Sequence, residues 1–254
     1  MAVEEAISKT VEGNLVPNTF RIWRGSNSVI IGRYQCLKAE INPTSCLMYK
    51  TKVVRRFTGG GAVYHDCGNL NFSLSIRREK IESSSNIFKK ITSAIAKNFK
   101  KNMGLNVIPG DRSIEIEHKK ISGLSGRVTK RLVFVHGCLL VQSNISVLNK
   151  VLKLTGERKW MFVPSIPKEV TNIETEIGRK IDLMEVVELL NKAIKEEFSV
   201  TFFEEELTNN EHNVAVRLNE KKYSRFGWLI STCYRCPEFK IDKDFLKNVE
   251  KINK

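Results

Sequence analysis

The run Arg55-Arg56-Phe57-Thr58-Gly59-Gly60-Gly61-Ala62-Val63-Tyr64-His65-Asp66 carries the densest chemistry in the chain. Three successive glycines open φ angles closed to other residues and let backbone approach a ligand closely. Successive N–H groups in such a turn form a concavity suited to an anion. Arg55 and Arg56 stand just before it, and guanidinium groups meet carboxylate or phosphate through paired hydrogen bonds. His65, Asp66, Asn69 and Asn71 follow at once. This is the composition of a phosphate- or carboxylate-binding loop. It is neither a Walker A loop, since no Lys-Ser/Thr follows the last glycine, nor GxGxxG. Its plain structural alternative is a tight hairpin with surface arginines.

A second stretch reads Lys119-Lys120-Ile121-Ser122-Gly123, with Arg127 beyond it and His136-Gly137-Cys138-Leu139-Leu140 further on. A lysine entering a glycine-containing turn near a His-Gly strand can set a cation over developing charge. Taken alone, it is equally a solvated lysine pair. His118, beside Lys119 in a charged strand, reads as an exposed bystander. Cys233-Tyr-Arg-Cys236 is a lone CxxC: a zinc site needs about four ligands, and no second pair follows. His212 adds little, so no metal site is assigned and the two cysteines read as ordinary thiols.

The elements that must position these residues follow from periodicity. Residues 2–12 read as a helix with Val3, Ala6, Ile7 and Val11 on one face, and Asn14–Asn18 as a turn. Phe20–Trp23 and Val29–Gly32 read as strands joined by a Gly/Ser/Asn hairpin. Further strands are expected over 53–57, 62–64 and 70–76. A helix is expected over 82–103, where Ile87, Ile91, Ile95 and Phe99 recur every fourth residue behind an N-cap among Ser83–Ser85. Strands over 113–117, 119–125 and 132–142, helices over 146–154 and 182–198, and a loop with Pro164 and Pro167 come next. A short strand from 200, a helix near 203–210 and a Phe/Trp segment over 223–230 close the chain. Strands and helices alternate irregularly, which predicts an α+β fold with a mixed, mainly antiparallel sheet flanked by helices.

At 254 residues, 41% hydrophobic, the chain supports a substantial core and is read as one domain over 1–254, with 200–254 its closing C-terminal segment. No apolar run approaches the ~20 residues of a membrane span. The acidic start Met1-Ala2-Val3-Glu4-Glu5 lacks the layout of a signal peptide. The six scattered cysteines fit a reducing compartment, so a cytoplasmic protein is expected. The net charge of +14 points to an anionic partner (nucleic acid, an anionic substrate or an acidic protein) or to a lysine-rich solubilising surface. Zinc-finger spacing and an RNP-like aromatic pattern are absent, which argues against nucleic acid.

Together the two stretches resemble the lipoate–protein ligase A family within the biotin/lipoate ligase fold. The shared pattern is Arg55-Arg56 through Gly59-Gly60-Gly61-Ala62-Val63-Tyr64-His65-Asp66, then Gly68-Asn69, Asn71 and Ser73, then Lys120-Ile121-Ser122-Gly123, then His136-Gly137 with Leu139-Leu140. Ala2-Val3-Glu4-Glu5, Trp23-Arg24, Gly32-Arg33-Tyr34-Gln35, Val170-Thr171-Asn172-Ile173 and Tyr223–Trp228 extend it over essentially the whole chain. The resemblance implies ATP-dependent activation of lipoate as lipoyl-AMP, with Mg²⁺, and transfer to a lysine of a lipoyl acceptor domain such as a dehydrogenase E2 component or a glycine cleavage H protein. It implies Lys120 as the cation bridging the carboxyl and the α-phosphate, with His65 beside the reacting carbonyl. Arg56, Thr58, Gly59, Gly60 and Gly61 would shape the acyl and phosphate site, Asn69 and His136 line it, Trp23 wall the acyl chain and Arg127 bind phosphate.

Departures from the family pattern matter. Gly110-Asp111-Arg112-Ser113 stands where the family has Gly-Arg-Asn-Asp, which bears on nucleotide and metal handling. Cys138 replaces a threonine. The chain begins at the first helix, where the family has a preceding strand, and stops without the family's small C-terminal domain, so a separate accessory subunit is expected. The rival readings are an octanoyl- or lipoyl-transferase using a cysteine nucleophile, for which Cys138 and Cys67 are the nearby candidates, and a non-catalytic binding module.

Overall fold

The computed structural model describes residues 1–78, 84–153, 163–232 and 243–253. In chain order its elements are α1 (Ala2–Glu12), β1 (Thr19–Arg24), β2 (Ser28–Ile31), α2 (Leu37–Glu40), α3 (Pro43–Met48), β3 (Lys52–Arg55), β4 (Val63–His65), β5 (Asn69–Arg77), α4 (Ser84–Met103), β6 (Val107–Pro109), β7 (Ser113–Ile116), β8 (Lys119–Val128), β9 (Leu132–Leu140), α5 (Ile145–Val151), α6 (Ile173–Ile177), α7 (Leu183–Phe198), α8 (Asn209–Leu218), α9 (Phe226–Leu229) and α10 (Lys243–Asn253), with a π-helical turn over Asn219–Tyr223. Six strands form an antiparallel sheet in the order β1-β5-β9-β8-β7-β6, and three form a second sheet in the order β3-β2-β4. The fold is α+β with mixed, mainly antiparallel sheets, as expected. Among the described residues no helix is long and apolar enough to cross a membrane.

The large sheet is sided by its alternation. Leu70, Phe72 and Leu74 of β5, Val133, Val135 and Leu139 of β9, and Ile114 and Ile116 of β7 face one way. Ile91, Ile95 and Phe99 of α4 and Leu190 and Ile194 of α7 cover them, forming the main core. The opposite face carries Asn69, Asn71, Ser73 and Ser75 of β5, all buried rather than solvated. Around α1, Ile7 and Val11 pack with Phe57 and Phe134 on that side. The small sheet has its own core of Val29, Ile31, Val53 and Tyr64, closed by Leu148 and Val151 of α5, Leu229 of α9 and Val249 and Ile252 of α10.

The expected hairpin between the first two strands does not form. β1 is an edge of the large sheet, paired to β5. β2 is the centre of the small one, between β3 and β4. All four residues of β2 are buried, so it needs partners on both sides. Asn27 supplies the local reason: its side chain donates to the Tyr49 carbonyl at 2.7 Å and accepts from the Thr51 hydroxyl at 2.9 Å, tying the turn to the start of β3. In the tail, residues 200–207 form neither strand nor helix. The helix begins at Asn209 because Thr208 and Glu211 make a reciprocal capping box. Strand β6 and helices α2, α3, α6 and α10 were not anticipated. Helix α4 begins at Ser84; the preceding Ser83 and the Cys233/Cys236 pair lie outside the described residues.

Candidate active site

Two rungs of residues cross the polar face of the large sheet. The first runs Trp23, Asn71, Cys138, Gly123 and Ser113 on successive strands β1, β5, β9, β8 and β7. The second runs Arg21, Ser73, His136 and Ser125. Against Trp23, Asn71, Cys138, Gly123, His136 and Ser125 of these rungs lies a cavity of about 400 Å³. Its walls include Trp23 of β1, Val63 of β4, and Arg112, Lys120 and Lys168 on the β7/β8 side.

Lys120 reaches this face through an irregularity. The β7–β8 pairing slips by one residue, so Ile114 opposes Ser122 while Glu115 opposes Lys120. Ile121 and Leu124 both enter the main core, three residues apart in one strand. Lys120 and Gly123 therefore share the cavity face, which regular alternation forbids. The ammonium lies over Gly123: a Cβ there would sit 2.9 Å from Nζ. Burial pushes the Lys120 pKa below its ordinary value, and neighbouring Lys168 adds to this.

The glycine loop is organised by its own arginines. Arg56 donates from Nε and Nη2 to the Gly59 carbonyl at 3.1 and 2.6 Å, from Nη2 to Gly61 at 2.7 Å and from Nη1 to Ile30 at 3.0 Å. Arg55 is fully buried and donates to the carbonyls of Leu229, Gly32 and Gln35. These guanidinium groups therefore hold backbone; they are not presented together as a fork for an anion. Burial lowers the Arg56 pKa to about 10, which leaves it charged. Gly60, at φ 84°, lies against Ser125, and its conformation excludes a side chain without strain. The loop is tethered to the second rung where Thr58 Oγ1 meets His136 Nε2 at 2.7 Å and Ser125 donates to the Gly59 carbonyl at 2.8 Å.

Both cavity histidines are neutral. Burial, then the charge of Arg56, pushes His65 down to about 3. The same two causes hold His136 well below its ordinary value. A neutral imidazole offers one donor and one acceptor, so either can take a proton when an anion fills the site.

Residues 163–171 make a strap across the opening. The Lys120 N–H donates to the Glu169 carbonyl at 2.8 Å, and Thr171 donates back to the Lys120 carbonyl at 3.1 Å. Ser165 clasps the strap to the glycine loop: its hydroxyl donates to Glu40 at 2.5 Å and accepts from Ala62 N at 2.8 Å and Gln35 Nε2 at 3.1 Å. Burial raises the Glu40 pKa. Sequence reasoning missed this clasp, because Glu40, Gln35 and Ser165 become a unit only after folding. Asn71, named in the polar cluster without a role, lines the cavity with a buried amide that has no partner on either atom; the cations Arg112 and Lys168 were assigned no role either.

Of the expected site residues, Lys120, His65, Trp23, Arg56, Thr58, Gly60, Gly61 and His136 share the cavity. Gly59 sits behind it, its carbonyl held by Arg56 and Ser125. Asn69 is fully buried outside the lining, its amide unpartnered. Arg127, near the end of β8, and Asp111 are exposed and line nothing. His118 is exposed at the β7–β8 turn, at φ 70°. Cys138 lines the cavity, whereas Cys67 is exposed. Among the described residues no group of three or more His, Cys, Asp or Glu could hold a metal. Glu4 lines the cavity but is held by Arg21, and Glu115 of β7 is engaged by Lys168 and by Ser113. Among the described residues there is thus no carboxylate cage for a metal ion.

Comparison with known proteins gives the family. The model of the lipoyl protein ligase A/B catalytic domain matches residues 1–195. The chain belongs to that family. Among lipoyl ligase relatives, lipoate-protein ligase A subunit 1 of Thermoplasma acidophilum is 31% identical over 240 residues, covering 90% of each chain. A crystal structure of lipoate-protein ligase A bound with ATP matches with a TM-score of 0.79 at 28% identity, over 91% of this chain and 92% of that one. A structure from an archaeal lipoylation system, a bi-partite lipoate protein ligase and its E2 lipoyl domain from T. acidophilum, matches with a TM-score of 0.77 at 26% identity, over 91% and 90%. The sheets and flanking helices described above are thus those of a lipoate ligase.

Proposed function

We propose that this chain is the catalytic part of an ATP-dependent lipoate–protein ligase. The observation that carries the reading is the order of side chains along the first rung. From Trp23 to Gly123, beneath Lys120, is three strand steps, about 14 Å at strand spacing. That is room for an octanoyl-length chain with its carboxyl at Lys120 and its tail against the Trp23 ring. A carboxylate oxygen of lipoate attacks the α-phosphorus of ATP, the bond to the bridging oxygen breaks, and pyrophosphate leaves with the electron pair. Lys120 neutralises charge on the carboxylate and α-phosphate, and the glycine-loop amides offer fixed dipoles. The acceptor lysine amine then attacks the acyl carbon and AMP departs. Neutral His65 stands ready to take the amine proton, its pKa raised once anionic adenylate is bound. Thr58, His136 and Arg56 position the loop. Mg²⁺ arrives with the ATP phosphates.

The acceptor is a lipoyl domain presenting a lysine, and a separate accessory subunit completes the enzyme; T. acidophilum subunit 1 and the bi-partite archaeal ligase support this reading. The chain acts as one catalytic domain, in the cytoplasm. The test is transfer of lipoate to a purified acceptor domain with ATP and Mg²⁺, read by intact mass, with and without the accessory subunit and with Lys120→Ala. A lipoyl mass shift requiring ATP and Lys120 is expected. Transfer from an acyl thioester without ATP, and none from lipoate, would overturn the reading.

A further inference from the structure

Arg112, Lys120 and Lys168 all line the β7/β8 side of the cavity, yet activation of a carboxylate needs one bridging cation, and Lys120 fills that role. The other two are held as if for a second task. The Arg112 guanidinium lies 4.2 Å over the buried Phe88 ring, which fixes its plane. Lys168 stands on the strap, paired to Glu115 of β7, whose carboxylate also accepts from the Ser113 hydroxyl at 2.8 Å. Both cations are exposed to solvent on one side.

Phosphoryl transfer is in line, so the leaving group departs from the face of the α-phosphorus opposite the attacking oxygen. The acyl chain comes from β1 across β5 and β9 to Lys120. The leaving group is then driven onward, toward β7. We infer that Arg112 and Lys168 bind the departing pyrophosphate and neutralise its charge. The inference rests on the ligase reading and deepens it. Lys168 exchanges Glu115 for phosphate oxygen as ATP enters, and its exposed flank gives pyrophosphate a way out.

The experiment titrates inorganic pyrophosphate and ATP into the full chain and into Arg112→Gln, Lys168→Ala and the double variant, by calorimetry. Each single change is expected to weaken pyrophosphate about tenfold and the pair about a hundredfold, the size of one or two charge-assisted contacts. Lipoate affinity stays the same, and Arg112→Lys with Lys168→Arg recovers most of the loss. With the accessory subunit present, the double variant raises the ATP KM while lipoyl transfer from preformed lipoyl-AMP proceeds at the wild-type rate. Unchanged pyrophosphate affinity in the double variant would overturn the inference. So would an equal loss in transfer from lipoyl-AMP, which would assign the cations to the adenylate or the acceptor. A wild-type protein that forms no lipoyl-AMP from ATP even with the accessory subunit present would sink the ligase reading instead, and the pyrophosphate titration would still decide the role of the cations.

Discussion

Replacing Gly123 by alanine should make the protein more stable and less active. The new Cβ would sit 2.9 Å from Lys120 Nζ and 3.0 Å from Cε. Ordinary contact lies near 3.5–4.0 Å, so the ammonium must move by about 0.6–1.1 Å. It can do so, being the end of a flexible side chain, and Gly123 needs no positive φ. Alanine in a strand is then favoured over glycine by about 0.5–1 kcal/mol. Catalysis is less forgiving: a misplacement of about 1 Å costs on the order of a hundredfold in rate, or about 2.7 kcal/mol of barrier. The assay pairs urea denaturation with single-turnover formation of lipoyl-AMP in the presence of the accessory subunit, quenched and read by mass. A variant that keeps the wild-type rate would refute the placement of Lys120 over the reacting atoms. A variant that loses stability would refute the geometry of the β8 face. Gly126→Ala is the contrast: its Cβ would meet the Phe134 carbonyl oxygen at 2.2 Å, and backbone cannot step aside, so that variant should fail to fold.

Thr58→Val removes the partner of part-buried His136, which should cost about 1 kcal/mol in chemical denaturation and raise the KM for lipoate by loosening the glycine loop. His65 falls from 6.5 to about 3 on folding and His136 moves the same way, so the unfolded chain binds more protons below pH 6.5. Stability should therefore fall as pH drops through that region, and His65→Gln should reduce the slope by about 1.4 kcal/mol per pH unit. Glu40 moves oppositely: its carboxyl is raised above 4.5, so the native state holds the proton longer and stability declines as pH rises past 4.5. Glu40→Gln should abolish that decline, measured by denaturation between acid and neutral pH. Cys138→Ser should leave ATP-dependent lipoylation intact; loss of all activity would instead favour a cysteine-dependent transferase.

Much of this site was legible before folding because its motifs are local. The glycine loop, His65 and Lys120 announce themselves by composition, and α4 and α7 by their periodicity. Other features depend on partners distant in sequence. Arg55 and Arg56 look like anion ligands because a sequence does not show which carbonyls will surround a guanidinium, and here those are the carbonyls of Gly32, Gly59, Gly61 and Leu229. Polar residues that alternate along a strand commonly face solvent, yet Asn71 and Ser73 are buried on a face that α1 packs against. The slip at Ile121 had a faint signal: Ile121 and Leu124 are spaced by three, which a regular strand cannot bury on one side. The β1–β2 turn had turn chemistry but not hairpin chemistry, since Asn27 faces β3.

The clasp at Ser165 also sets the order in which the enzyme can be made. Its partners Gln35, Glu40 and Ala62 lie 130, 125 and 103 residues away along the chain. Loops of that length close slowly, after the local hairpins and helices have formed. During refolding, secondary structure and burial of the main core should therefore return first, and lipoate binding only when the strap has been fastened. On the ribosome the same rule leaves the cavity roofless until residue 165 has emerged, long after the glycine loop beneath it.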